Sequence, residues 1–154
     1  MAEPRAIGPM EGRCLCGGVT VRVTRAADAR PSACHCDICR TWSGGLFLCF
    51  WAEAADVEVA GEVRTYPSTP FADRAFCPRC GTHLWVRDHG EGDGAGKAGY
   101  DLMPGLFPAL AGHPLRSEVY FDRAPAHAAL AGDHPRRTAA EYEADHPYLK
   151  GDAP

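Results

Sequence analysis

The sequence predicts a mainly β fold of short strands joined by cysteine-bearing turns, with little helix. Two observations carry this. Short stretches alternate apolar with polar side chains, the period of a half-buried strand. The breaks between them are rich in Gly and Pro, the residues of turns, and three of them also hold clustered cysteines. Residues 18–24 (GVTVRVT) put Val19, Val21 and Val23 on one side of an extended chain. Residues 44–52 (GGLFLCFWA) form an apolar, aromatic run expected as a strand buried on both faces. Residues 56–67 (DVEVAGEVRTYP) alternate on either side of Gly61 and are expected to fold as a hairpin. THLWVRD at 82–88 and RSEVYFDR at 116–123 supply two more strands. A short helical turn is expected over 37–42, ended by Ser43, Gly44 and Gly45. Residues 88–99 (DHGEGDGAGKAG) have the composition of a flexible surface loop. The chain is expected to be one domain over 1–154 with a motif-bearing core at 10–122. Segment 123–154 stays unassigned, its one helical pattern being RTAAEYEAD.

Composition narrows the setting. With 154 residues, 45% hydrophobic and 23% charged, the chain has the make-up of a globular protein that buries a real core. A net charge of −4 from 16 basic and 20 acidic residues, without a run of like charge, argues against nucleic acid as a partner. MAEPRAIGPM holds no basic segment followed by an apolar core, so no secretory leader is expected. Nor does any stretch approach the roughly 20 apolar residues of a membrane span. The expected setting is therefore cytoplasmic, with no membrane partner. The Ala, Arg, Gly and Pro bias points to a high-GC bacterial genome. Pairing of short apolar strands across a two-fold axis makes a homodimer an open expectation.

Eight cysteines in a reducing compartment point to metal rather than disulfides. They form C-x-C at Cys14 and Cys16, C-x-C-x-x-C at Cys34, Cys36 and Cys39, and C-x-x-C at Cys77 and Cys80, with Cys49 alone. A structural zinc site takes four protein ligands. The Cys77/Cys80 pair, on a turn with Pro78 and Gly81, combines with Cys14/Cys16, bracketed by Gly12, Gly17 and Gly18, into one closed site. Cys34, Cys36 and Cys39 remain as a three-sulfur site with an open corner, the arrangement of a catalytic zinc. His35, between two ligands of an extended segment, points away from them and makes a poor fourth ligand. Cys49 in its apolar strand reads as a small buried hydrophobe.

GRCLCGGV, CHCDICRTWSGGLF and RAFCPRCGTHLW resemble, in order and spacing, the signature of the glutathione-dependent formaldehyde-activating enzyme family, over roughly residues 10–122. The resemblance implies a β-tent fold of short antiparallel sheets. It also implies a structural zinc on Cys14, Cys16, Cys77 and Cys80, and a catalytic zinc on Cys34, Cys36 and Cys39. The activity it implies is carbon–sulfur lyase chemistry, joining a thiol such as glutathione to a small aldehyde such as formaldehyde, or the reverse. Four thiolates on Zn²⁺ carry a net negative charge that neighbouring donors must hold, and Arg40 and His35 are the local candidates. Trp42, three residues past Cys39, is expected near that metal, with Phe47, Trp51, Trp85 and Tyr120 as core or pocket wall.

Other readings remain. Both metals could be structural, with Cys49 or a histidine closing the second site, in a zinc-stabilised module that binds a protein partner. Methionine sulfoxide reductase chemistry would need a redox cysteine beyond the knuckles, and none follows Cys80. The H-x-E and P-C-x-x-C order of the zinc deaminases is absent. Thiolate ligands would accept iron as well as zinc, a centre that colour would reveal. Most of the histidines precede proline or lack metal spacing, and read as surface residues.

Overall fold

The computed structural model describes residues 3–89 and 98–149. The expected loop at 88–99 falls for the most part outside them. The described residues form eleven strands and two short helices. These are β1 (Met10–Arg13), β2 (Thr20–Val23), β3 (Ser32–Cys34), α1 (Asp37–Ser43), β4 (Phe47–Glu53), β5 (Val57–Ala60), β6 (Arg64–Thr69), β7 (Ala72–Phe76), β8 (His83–Asp88), β9 (Gly99–Leu102), β10 (Ser117–Val119), β11 (Arg136–Arg137) and α2 (Ala139–Asp145). Short 3-10 turns fill much of the remainder. Among the described residues no helix is long and apolar enough to cross a membrane.

Two sheets lean on one another. The smaller, β1-β2-β5, is antiparallel throughout, and the larger runs β11-β10-β3-β4-β9-β8-β7-β6. Val21 and Val23 of β2 are fully buried, as their alternation predicts, and pack with Phe50, Leu84, Leu102 and Phe107 into the main core. The expected hairpin at 56–67 does not form. β5 pairs with β2, whereas β6 pairs with β7, so the chain leaves one sheet at Gly61 and enters the other. Alternation fixes which side chains share a face, not which strand is the neighbour.

The large sheet is not wholly antiparallel, because β10 runs parallel to both β3 and β11. Parallel pairing needs a long connection, and the chain between β3 and β10 supplies it. β4 is not buried on both faces either: Phe50 and Ala52 enter the core while Trp51 stays 37% exposed.

Residues directly opposite one another in a sheet project to the same side. One row across β7, β8, β9 and β4 reads Ala75, Trp85, Leu102, Phe50, and it faces the core. The neighbouring row, Arg74, Val86, Asp101, Trp51, projects to the opposite side. There it meets the C-terminal segment, where α2 begins on a capping box formed by Thr138 and Glu141.

Candidate metal centre

The first cysteine group sits on two matched turns. Cys14 and Cys16 lie in the turn between β1 and β2, closed by Gly17 N donating to the Cys14 carbonyl at 3.0 Å. Cys77 and Cys80 lie in the turn between β7 and β8, closed by Gly81 N donating to the Cys77 carbonyl at 2.8 Å. Each turn needs a left-handed residue, and glycine supplies it at Gly17 (φ 75°) and Gly81 (φ 73°). The four sulfurs lie within 4.8 Å of one another and could hold a metal ion.

Two of the spacings are diagnostic. Cys14 and Cys16 sulfurs are 3.6 Å apart, and Cys16 and Cys77 sulfurs 3.8 Å. Metal–sulfur bonds of about 2.3 Å at the tetrahedral angle place sulfurs roughly 3.8 Å apart. Backbone N–H groups of Val19 and Gly18 reach the Cys14 and Cys16 sulfurs at 3.2 and 3.4 Å. The Thr82 hydroxyl lies 3.1 Å from the Cys80 sulfur and pulls that thiol down to about 5.

The second group is built on one short segment. Cys34 ends β3, Cys36 caps α1 and accepts from the Cys39 N–H at 3.4 Å, and Cys39 is buried in the first turn. Their sulfurs also lie within 4.8 Å of one another, and among the described residues no fourth His, Cys, Asp or Glu joins them. Hydrogen bonding from the Cys34 and Cys39 thiols holds Cys36 down at about 2, while the same sharing drives Cys34 well up. Three crowded sulfurs thus favour one thiolate when alone, and a cation would stabilise the others. The donor set fits a thiolate-loving metal.

These three cysteines open onto a cavity of about 1350 Å³. Its floor is the row carrying Arg74, Val86, Asp101 and Trp51, joined by Cys49 and Phe47. The far wall comes from Tyr120 and from the segment 123–154, through Tyr142, His146 and Tyr148. No member of the four-cysteine group lines it. Cys49 is half-buried, packed against the small cluster of Cys39, Phe47, Ala72 and Val86, and also lines the cavity.

The residues expected beside the three-cysteine group take distinct places. His35 is 1% exposed and bonds through Nε2 to Glu118 Oε2 at 2.7 Å. Glu118 is itself fully buried and also receives His134 Nε2 at 2.5 Å and Arg136 Nε at 3.0 Å. Burial works against its charge, yet His134 and His35 hold its carboxyl below the usual range. Arg40 donates through Nε to the His35 carbonyl at 2.9 Å and also bonds Asp37, so it braces the backbone of the loop. Trp42 packs on Tyr66 and His83, with ring centres 6.1 and 5.0 Å away, outside the cavity wall. Phe47, Trp51 and Tyr120 line the cavity, whereas Trp85 belongs to the core.

The cation on the sulfurs is Arg74, which sequence reasoning missed. It is 4% exposed, and its NH2 donates to the Cys39 sulfur at 3.4 Å. Nε donates to Ser68 Oγ at 3.1 Å, and the guanidinium lies 5.5 Å from the Phe47 ring centre and 5.9 Å from that of Trp42. Trp42 thus touches the cysteine group through Arg74. The one sequence signal was an arginine three residues before Cys77. Its direction depends on the β7–β8 register, which no local pattern reports.

The family model of the glutathione-dependent formaldehyde-activating enzymes matches residues 9–108. A Schizosaccharomyces pombe protein named only as an uncharacterized lyase is 30% identical over 116 residues, 75% of this chain and 80% of that one. A Halomonas elongata protein, whose name contains "glutathione-dependent formaldehyde-activating enzyme", is 34% identical over 88 residues, 51% of this chain and 56% of its own. With all three cysteine clusters inside the matched span, the chain belongs to the glutathione-dependent formaldehyde-activating enzyme family.

Proposed function

We propose that the protein is a zinc-dependent enzyme of the carbon–sulfur lyase type, which joins a low-molecular-weight thiol such as glutathione to a small aldehyde such as formaldehyde, or runs the reverse. Cys14, Cys16, Cys77 and Cys80 hold a structural zinc. Cys34, Cys36 and Cys39 would hold a second, at which the thiol would bind. The observation that carries this reading is the three-sulfur group opening onto a cavity of about 1350 Å³, ample for a tripeptide.

A zinc ion there supplies a Lewis acid that keeps a bound thiol deprotonated at neutral pH, where a free thiol is mostly protonated. The remaining work falls to the chain's own residues. Arg74 offsets the negative charge of the sulfurs, through its bond to Cys39. His35, held by Glu118, and Arg40, bonded to the His35 carbonyl, fix the backbone that carries Cys34 and Cys36. The floor and the C-terminal wall shield the reacting atoms from bulk water.

The test is a calorimetric titration of zinc-loaded protein with glutathione and with S-methylglutathione. The thiol is expected to bind at least tenfold tighter, since only it offers a thiolate. Equal affinities contradict direct binding of the sulfur.

A further inference from the structure

Addition of a thiol to an aldehyde moves one proton. The thiol must lose it, and the oxygen of the former carbonyl must gain it. Arg74 is a permanent cation and the three cysteines are spoken for, so neither carries that proton. A carrier needs a titratable side chain that faces the cavity and is not locked in an ion pair.

Asp101 meets these conditions. It lies in the middle of the cavity floor, opposite Val86 on one side and Trp51 on the other. Arg74 stands two strands away in the same row, which places the two Cα atoms roughly 10 Å apart. Arg74 reaches the Cys39 sulfur, and the three cysteines, Arg74 and Asp101 all line the same cavity. Among the described residues Asp101 forms no salt bridge, and the neighbouring Cys49 thiol acts to lower its carboxyl. Desolvation drives the Cys49 thiol well up, so it keeps its proton.

We infer that Asp101 is a catalytic residue that takes the proton of the incoming thiol and returns it to the aldehyde oxygen. This inference rests on the function proposed above. The sulfur lone pair forms the new C–S bond, the carbonyl π pair moves to oxygen, and that oxygen takes the proton from the Asp101 carboxylic acid. The product is a hydroxymethyl thioether, with no oxidant or reductant required. The reverse reaction uses the same residue in the opposite order.

The surroundings suit the role. Burial first, and then the like charge of Asp88 on β8, push the Asp101 carboxyl up to about 7, while Arg74 on β7 pulls the other way. Besides these and Cys49 on β4, the titratable groups that bear on it are Tyr142 of α2 and Tyr148 of the last turn, both driven up and so neutral. A carboxyl near 7 both accepts and releases a proton at neutral pH.

The experiment counts protons on thiol binding. Zinc-loaded native protein, Asp101→Asn and Asp101→Glu are titrated with glutathione at pH 7 in two buffers of different ionisation enthalpy. Native protein is expected to release clearly less than one proton per thiol bound, Asp101→Asn a full proton, and Asp101→Glu an intermediate number. With formaldehyde present, kcat of Asp101→Asn should fall tenfold to a hundredfold, with KM for glutathione and the zinc content unchanged. Equal proton counts in native protein and Asp101→Asn, or an unchanged kcat, overturn the role of Asp101 while leaving thiol binding intact. Loss of the native preference for glutathione over its S-methyl form overturns the proposed function and this inference together.

Discussion

The two cysteine groups differ most in what surrounds their sulfurs. The group of Cys14, Cys16, Cys77 and Cys80 clamps two hairpin turns, and backbone N–H groups and the Thr82 hydroxyl compensate its charge. Such neutral dipoles stabilise thiolates without inviting a reaction, and the sulfurs already supply all four corners of a tetrahedron. The group of Cys34, Cys36 and Cys39 has three sulfurs, one full cation in Arg74, and a cavity in front of it. On the proposed function, the closed set with dipolar support is a staple, and the open set with a guanidinium beside a cavity is the one that does chemistry.

The largest expected effect breaks the comparison on its structural side. Cys77→Ser removes a sulfur that ties β7 and β8 to the β1–β2 turn, so the protein should fail to fold, seen as loss of the native circular dichroism spectrum. A folded Cys77→Ser protein with one zinc would erase the distinction between the groups.

Glu118→Ala should cost about 3 kcal/mol, because His35, His134 and Arg136 lose a shared buried acceptor. Urea denaturation measures this, and the variant is expected to retain zinc less tightly at the three-cysteine group alone. Arg74→Met sharpens the functional side. Loss of the charge on Cys39 should lower kcat about tenfold to a hundredfold, with Arg74→Lys between, while the other zinc is unaffected. Steady-state kinetics with metal analysis tests it.

The smallest effect concerns pH. The Asp101 carboxyl is raised, to about 7, by burial, so the folded state holds its proton where the unfolded chain has released it. Its contribution therefore lowers stability as pH rises from about 4 to about 7 and levels off above. Asp101→Asn should match the native protein near pH 4 and exceed it above pH 7 by on the order of 1–2 kcal/mol, the cavity water damping the full shift. Thermal melts at the two pH values decide this, and a constant difference would contradict it.

The cysteine framework was legible because ligand spacing is local: two residues for C-x-C and three for C-x-x-C bring sulfurs together on turns. The short helix after Cys36 and the Val19, Val21, Val23 face were legible for the same reason. What stayed hidden depends on register between distant strands. Arg74 and Asp101 lie in one cavity row only because β7, β8 and β9 pair as they do. Glu118 meets His35 through a parallel pairing across more than eighty residues of chain. The supposed hairpin at Gly61 failed in the same way, since alternation is identical whether β5 and β6 pair together or apart.

The central claim, that one cysteine group holds the fold and the other does chemistry, is tested most directly by zinc content per chain for the native protein and Cys39→Ser, with circular dichroism on both. Two zincs falling to one in a variant that keeps the native spectrum is the predicted result. Loss of the spectrum together with the metal would make both centres structural and contradict the enzymatic reading.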